Sequence, residues 1–166
     1  MARYLAALFE RYKAKGVLID TNLMVLIAVG TYNQLRVGTF KRTIEYTLDD
    51  LEMMLRIIAY FDRHFTTPNI LTEVDNLTRQ LPEAEHGGLA AAFAQLVSRQ
   101  FEIYVQSQQT VQHATYARLG LADWATAMAA AGQNALIITD DLRLSNMLSS
   151  LGMDAININH IRTLNW

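Results

Sequence analysis

Near the start of the chain, apolar residues recur first at helical spacing and then as a short uninterrupted run. The first group lies on one face of a predicted amphipathic helix and comprises Tyr4, Leu5, Leu8, Phe9 and Tyr12. Gly16 is expected to end that helix. Residues 17–19 are then wholly apolar and are followed directly by Asp20. A short apolar run of this kind is typical of a central parallel strand that is buried on both faces.

Similar apolar runs recur along the chain and alternate with helical patterns. Strands are predicted at residues 17–19, 65–67, 101–105, 135–139 and 155–158. Helices are predicted at residues 23–29, 48–61, 68–77, 89–100, 121–131 and 142–151. Thr47 and Asp50 form a predicted capping box at the start of the second of these helices. Strands that alternate with helices indicate an α/β fold with a mainly parallel sheet.

Composition narrows the class of protein. The chain has 166 residues, 51% of them hydrophobic and 18% charged, which fits one globular domain and excludes a disordered chain. It has no Cys, which excludes a disulfide scaffold, Cys-based zinc sites and Cys nucleophiles. The formal net charge of -2 is not that of a protein that binds nucleic acid by bulk charge. Any contact with nucleic acid must be local or must be assisted by metal ions.

We expect a soluble, cytoplasmic protein with no membrane segment. The apolar stretch at residues 17–30 is interrupted by Asp20, Thr21 and Asn22, and it is too short for a spanning helix of about 20 apolar residues. Residues 1–16 carry several charges and lack the apolar centre of a signal peptide.

Acidic residues fall at or just after the predicted strand ends. Asp20 ends the first strand, and Asp140 and Asp141 follow the strand at residues 135–139. Glu73 lies in the helix that Pro68 begins, and a further acid, Asp123, lies near the start of an Ala-rich helix. In open parallel sheets, ligands bind beyond the carboxyl ends of the strands. We therefore expect these carboxylates to meet at one rim of the sheet.

A cluster of carboxylates predicts a cation site. Like charges raise one another's pKa and destabilise the fold, and a divalent cation removes that penalty. Mg²⁺ and Mn²⁺ prefer hard oxygen ligands of this kind. A carboxylate-held cation of this type serves phosphoryl chemistry, because it activates water and stabilises the charge that develops on a phosphodiester.

Four segments carry a resemblance to a known family. They are Val17-Leu-Ile-Asp-Thr-Asn22, Pro68-Asn-Ile-Leu-Thr-Glu-Val74, Leu121-Ala-Asp-Trp-Ala-Thr-Ala127 and Leu136-Ile-Ile-Thr-Asp-Asp141. In this order and context the chain resembles a PIN domain, the nuclease fold of many VapC-like toxins of toxin–antitoxin pairs. The resemblance covers about residues 17–158. It implies a single-domain α/β/α sandwich around a five-stranded, mainly parallel sheet, with residues 17–166 as the PIN-like nuclease domain. The helical extension at residues 1–16 is an addition to the minimal pattern of the family.

The resemblance also implies a ribonuclease that depends on Mg²⁺ or Mn²⁺. Asp20, Glu73, Asp123 and Asp141 match the metal-binding and catalytic acids of the family. RNA is the implied substrate. A partner antitoxin protein would occlude the acidic pocket, and an Arg placed in that pocket would suit it.

Three further polar residues match the surroundings of that site. Thr139 matches the orienting hydroxyl and Asn22 a residue that hydrogen-bonds within the site. Asp140 either contacts a second ion or caps the next helix. Trp124 is bulkier than the small residue often found after the third acid, and it either shapes the pocket or packs into the core.

Other interpretations remain open at this stage. Each acid taken alone has an ordinary explanation as a helix cap or a solvated residue. The protein could be a catalytically inactive PIN-like interaction module, or a PIN nuclease that acts on DNA or in RNA processing. A dinucleotide-binding fold is disfavoured because no G-x-G-x-x-G follows the first strand. A haloacid-dehalogenase phosphatase is disfavoured because the residues after Asp20 lack its second Asp.

Surface contacts are also left with two interpretations. The basic residues that are candidates for phosphate contacts, or that simply face solvent, are Arg36, Lys41, Arg42, Arg79, Arg118 and Arg143. The apolar residues that form either core or a homodimer surface are Leu5, Leu8, Phe9, Met54, Leu55 and Ile58.

Overall fold

The computed structural model describes residues 2–162; Met1 and the end of the expected domain, residues 163–166, lie outside the described residues. The strands are β1 Val17–Ile19, β2 His64–Thr66, β3 Phe101–Glu102, β4 Leu136–Thr139 and β5 Ala155–Asn157. The helices are α1 Ala2–Tyr12, α2 Thr21–Tyr32, α3 Leu48–Tyr60, α4 Pro68–Thr78, α5 His86–Val97, α6 Ser107–Thr110, α7 Tyr116–Leu119, α8 Leu121–Gln133, α9 Leu142–Ser150 and α10 Ile158–Arg162.

The five strands form one parallel sheet in the order β3-β2-β1-β4-β5. The predicted α/β class and α/β/α sandwich are therefore confirmed. Central strand β1 is buried along its length, and its Val17 lies opposite His64 on one side and Leu136 on the other. The strand order reverses between β1 and β4, which is where open α/β sheets form a ligand crevice. Asp20 and Asp140 follow these two strands.

Helix α2 is longer than predicted and passes through Gly30. Its residues from Leu23 to Gly30 are all buried, so it is a central helix rather than a surface one. A Cβ atom at Gly30 would lie 2.6 Å from the Cδ atoms of Leu51 in α3. The glycine therefore permits close helix packing here and does not end the helix.

Helix α1 packs into the same core as the sheet. Leu5, Leu8 and Phe9 are buried, and the ring centroids of Phe9 and Phe61 lie 5.3 Å apart. Met54 of α3 is also fully buried. These four side chains belong to the core of the single chain, whereas Leu55 is 40% exposed.

The start of α3 agrees with the prediction, whereas the end of β3 does not. The predicted capping box is present, since Thr47 Oγ1 accepts from the Asp50 N–H at 3.2 Å and the Asp50 carboxylate accepts from the Thr47 N–H at 2.8 Å. Strand β3 pairs only with β2 among the described strands and ends at Glu102, three residues before the predicted end.

Within residues 2–162 no helix is long and apolar enough to span a membrane.

Candidate functional site

Asp20 is fixed at the end of β1 by three hydrogen bonds. Its Oδ1 accepts from the Leu23 N–H at 3.2 Å, which caps α2. Its Oδ2 accepts from the Thr139 hydroxyl and from the Asp140 N–H, the latter at 3.2 Å. Asp20 is therefore a helix cap and also the link between β1 and the end of β4, and it is only 8% exposed.

The surroundings of Asp20 oppose its negative charge. Burial, followed by the nearby charge of Asp140, raises its pKa to about 8, although the hydrogen bonds to Thr139, Leu23 and Asp140 lower it. Burial and the charge of Asp140 thus oppose ionisation of Asp20 when no cation is near. A bound cation would favour its ionised form.

Both carboxylate oxygens of Asp140 are engaged by neighbouring side chains. Asn22 Nδ2 donates to Oδ1 at 3.3 Å, and the Tyr46 hydroxyl donates to Oδ2. The main-chain oxygen of Asp140 accepts from Asn157 Nδ2 at 2.9 Å. Asp140 is therefore held in place from both sides, beside Asp20.

Asp141 caps the next helix and has a different set of partners. Its Oδ1 accepts from the N–H groups of Arg143 at 2.7 Å and Leu144 at 3.0 Å. Its own N–H donates to Thr139 Oγ1 at 2.9 Å. The hydroxyl of Thr139, which is fully buried, thus links Asp20 to the main chain of Asp141, in keeping with an orienting role.

Glu73 and Asp123 form an outer group with Asp141. Burial and the charges of Asp141 and Glu73 raise the pKa of Asp123 to about 6, while Arg143 lowers it. Glu73 is exposed and its Oε2 accepts from Thr21 Oγ1 at 3.1 Å. Because Thr21 follows Asp20, this contact ties α4 to the end of β1.

The predicted site residues therefore meet at the rim in two groups. The inner pair is Asp20 with Asp140, and the outer group is Asp123 with Glu73 and Asp141. Within residues 2–162 no three acidic or histidine side chains already stand close enough together to hold a metal ion. The donors are all carboxylate oxygens, which is the chemistry that Mg²⁺ and Mn²⁺ prefer.

Tyr46 belongs to this site and was not found from the sequence. Its side chain is buried, and both burial and the hydrogen bond to Asp140 raise its pKa. The guanidinium of Arg162 lies 5.7 Å from the ring centroid, and Arg162 Nε lies 2.6 Å from Asp50 Oδ1. The available signal was an aromatic residue directly before the capping Thr47, where an apolar side chain often packs against the helix.

Trp124 packs into the core. It is 8% exposed, and its indole stacks on His113 with ring centroids 4.5 Å apart. Trp124, directly after Asp123, therefore anchors the start of α8 to the core.

Some of the basic candidates already have partners. Arg36 binds Glu85, and Arg79 Nε lies 2.8 Å from Asp75 Oδ2. Arg42 Nε donates to Gln80 at 3.0 Å. Arg143 instead lies beside the outer carboxylates, as its effect on the pKa of Asp123 indicates.

Comparison with protein-family models and with curated proteins gives no match for this sequence.

Proposed function

We propose that this protein is a metal-dependent endoribonuclease of the PIN type, which hydrolyses RNA phosphodiester bonds. The observation that carries the proposal is that carboxylates from four separate segments lie along the rim where the strand order reverses, with Asp20 bound to the Asp140 N–H and Glu73 to Thr21. Helix-capping carboxylates that lay far apart would not raise one another's pKa. A bound cation would explain why these carboxylates lie close together, because its charge offsets their mutual repulsion.

In this proposal Asp20, Glu73, Asp123 and Asp141 hold Mg²⁺ or Mn²⁺. The ion, when bound, supplies an activated water and positive charge for the phosphodiester. Thr139 orients Asp20 and the chain at Asp141, as its two hydrogen bonds indicate. Such supporting contacts fix the geometry of metal ligands.

Asp140 has a supporting role in the same scheme. Asn22 and Tyr46 occupy its two oxygens, so it is positioned to shape the charge around Asp20. Its proximity raises the pKa of Asp20, and an ion at the rim would reverse that effect.

The biological setting we propose is a toxin–antitoxin pair in the cytoplasm. The acidic rim suits an inhibitor that places an Arg side chain among the carboxylates. The absence of Cys from the sequence fits a reducing compartment. If a small reading frame precedes the gene, co-expression with its product should give a stable complex that does not cut RNA.

The direct test is cleavage of total RNA with Mg²⁺ and with EDTA. Asp20→Asn and Asp123→Asn should each reduce cleavage by about a hundredfold or more, because several kcal/mol of transition-state stabilisation is lost. Asp75→Asn is the matched control, since Asp75 lies on the same helix as Glu73 but pairs with Arg79. Full Mg²⁺-dependent activity in both site variants would refute the assignment.

A thermal shift gives a second test that does not depend on activity. Mg²⁺ or Mn²⁺ should raise the melting temperature of the wild-type protein, because binding only to the folded state stabilises it. The shift should be absent in Asp123→Asn and present in Asp75→Asn. If the protein shows neither a thermal shift nor cleavage, the result would favour an interaction module over a nuclease.

A further inference from the structure

The first of two surface grooves near the rim lies on α7 and α9. It has a volume of about 650 Å³, and Arg118, Arg143 and Asn146 are among its lining residues. Arg143 Nη2 donates to the main-chain oxygen of Arg118 at 2.9 Å, so its guanidinium reaches from α9 to α7. Its backbone N–H is bound by Asp141. The groove therefore includes the first turn of α9, the helix that Asp141 caps.

The two arginines of this groove lack the carboxylate partner that five other arginines have, as do Arg3, Arg42, Arg63 and Arg99 among residues 2–162. Arg11, Arg36, Arg56, Arg79 and Arg162 each pair with a carboxylate. Among residues 2–162, Arg118 and Arg143 form no such ion pair. Both are exposed. The charge of Arg118 is thus available to an anionic ligand, whereas the charge of Arg143 also acts on Asp123.

The second groove lies on the other side of the site, where α4 meets the chain after β3. It has a volume of about 500 Å³ and is lined by Glu73, Asn69, Asn76 and Tyr104, among others. Tyr104 follows β3 closely and is 76% exposed. A large aromatic face held in the open next to a carboxylate is suited to stacking a flat ligand.

The sheet order places these grooves on opposite sides of β1. The Tyr104 groove is lined by residues after β2 and β3 and by the start of α8, whereas the arginine groove is lined by α9, which follows β4, and by Arg118 of α7. A chain of net charge -2 with a negative rim repels a polyanion. A nucleic acid can therefore approach only where local positive charge and stacking surface outweigh that repulsion.

We infer that Arg118 and Arg143 bind a backbone phosphate on one side of the scissile bond, and that Tyr104 stacks an unpaired base on the other side. A single strand then lies across the carboxylates between the two grooves. A duplex cannot present an unstacked base to Tyr104, so single-stranded RNA is the preferred ligand. This inference rests on the proposed nuclease function for the placement of the scissile bond.

The test measures binding by fluorescence anisotropy, with a short fluorescein-labelled RNA of mixed sequence as a single strand and annealed to its complement. Measurements in EDTA separate binding from cleavage. Tyr104→Ala should weaken single-strand binding about tenfold, and Tyr104→Phe should restore it. Tyr4→Ala is the control, because Tyr4 is also exposed but lies on α1. The duplex should bind more weakly and should not respond to Tyr104→Ala.

The arginines are tested through salt dependence. Arg118→Gln and Arg143→Gln should each reduce the slope of log affinity against log salt by about 0.7, the value for one lost single-strand phosphate contact. Arg79→Gln should leave the slope unchanged, since Arg79 already pairs with Asp75.

The two proposals fail in different ways. Expected binding losses without any Mg²⁺-dependent cleavage would support the two grooves and refute the nuclease. Cleavage with unchanged single-strand affinity in the Tyr104→Ala and arginine variants would overturn the grooves and leave the nuclease standing. A wild-type protein that binds the duplex as tightly as the single strand would also overturn the assignment of Tyr104.

Discussion

The inner and outer carboxylates of the rim differ in how firmly the protein holds them. Asp20 and Asp140 are bound by Thr139, Asn22 and Tyr46, with further backbone donors to Asp20. Glu73, in contrast, is exposed and makes one side-chain contact, to Thr21 at 3.1 Å. The inner pair is organised before any ligand arrives, whereas the outer group has room to rearrange around one.

This difference also appears in the electrostatics. Asp20 is almost fully buried and its pKa is raised to about 8, whereas the pKa of the less buried Asp123 is raised to about 6. Burial without a cation is costly for a carboxylate, and the cost is larger for the inner group. Burial and neighbouring negative charge thus oppose ionisation more strongly at Asp20 than at Asp123.

The largest expected change in stability comes from Thr139→Val, which breaks the contacts that organise the inner side. It removes one donor to Asp20 and leaves the Asp141 N–H without its acceptor, so the free energy of unfolding should fall by about 2 kcal/mol. Urea denaturation measures the change.

Thr66→Val is the matched control for that experiment. Thr66 ends the neighbouring strand β2, and its hydroxyl is buried without a hydrogen-bond partner among the described residues. Replacing an unpaired buried hydroxyl by a methyl group should leave stability unchanged or raise it. Equal losses in the two variants would show that the Thr139 contacts do not organise the inner side.

The pH dependence of stability should separate the two groups further. The folded-state pKa of Asp20 is raised to about 8 and that of Asp123 to about 6, above the ordinary value of 3.8. Folding therefore takes up protons between these values. The stabilisation is complete below pH 3.8 and is lost as pH rises, through 6 for Asp123 and through 8 for Asp20.

Melting temperatures without divalent ions, taken from pH 5 to 9, measure this effect. They should fall as pH rises. Asp20→Asn should flatten the curve between pH 6 and 8, and Asp123→Asn should flatten its lower part. A wild-type curve that rises with pH over this range would contradict the assignment.

The smallest expected change comes from Tyr46→Phe, which removes one donor from Asp140 and leaves the bond from Asn22. The loss should be about 1 kcal/mol, the usual net contribution of one hydrogen bond. Tyr4→Phe is the control on the exposed face of α1. No difference between the two variants in urea denaturation would mean that the loop before α3 does not help to hold the inner pair.

The regular parts of the fold were predictable because their signals are local. The buried run at Val17–Ile19 and the capping box of Thr47 with Asp50 are visible in a few adjacent residues. The passage of α2 through Gly30 was not predictable, because it depends on Leu51 in another helix. The early end of β3 likewise reflects its place at the sheet edge.

The same distinction applies to the site. Strand ends located Asp20, Asp140 and Asp141, since parallel strands share one carboxyl edge. Their division into an inner and an outer group depends on tertiary contacts that no sequence spacing encodes. Tyr46 was missed for this reason: it precedes α3 in a segment without periodicity, and only folding brings it to Asp140.

The parallel connectivity of the sheet has a consequence for when the rim is assembled during synthesis. Thr139 and Asp20 hydrogen-bond to each other although they lie 119 positions apart in the chain. A ribosome-bound fragment that stops before β4 lacks the second half of the centre, however well its first half has folded. The inner carboxylate pair and the Thr139 hydroxyl that orients it are therefore assembled only after β4 has emerged from the ribosome.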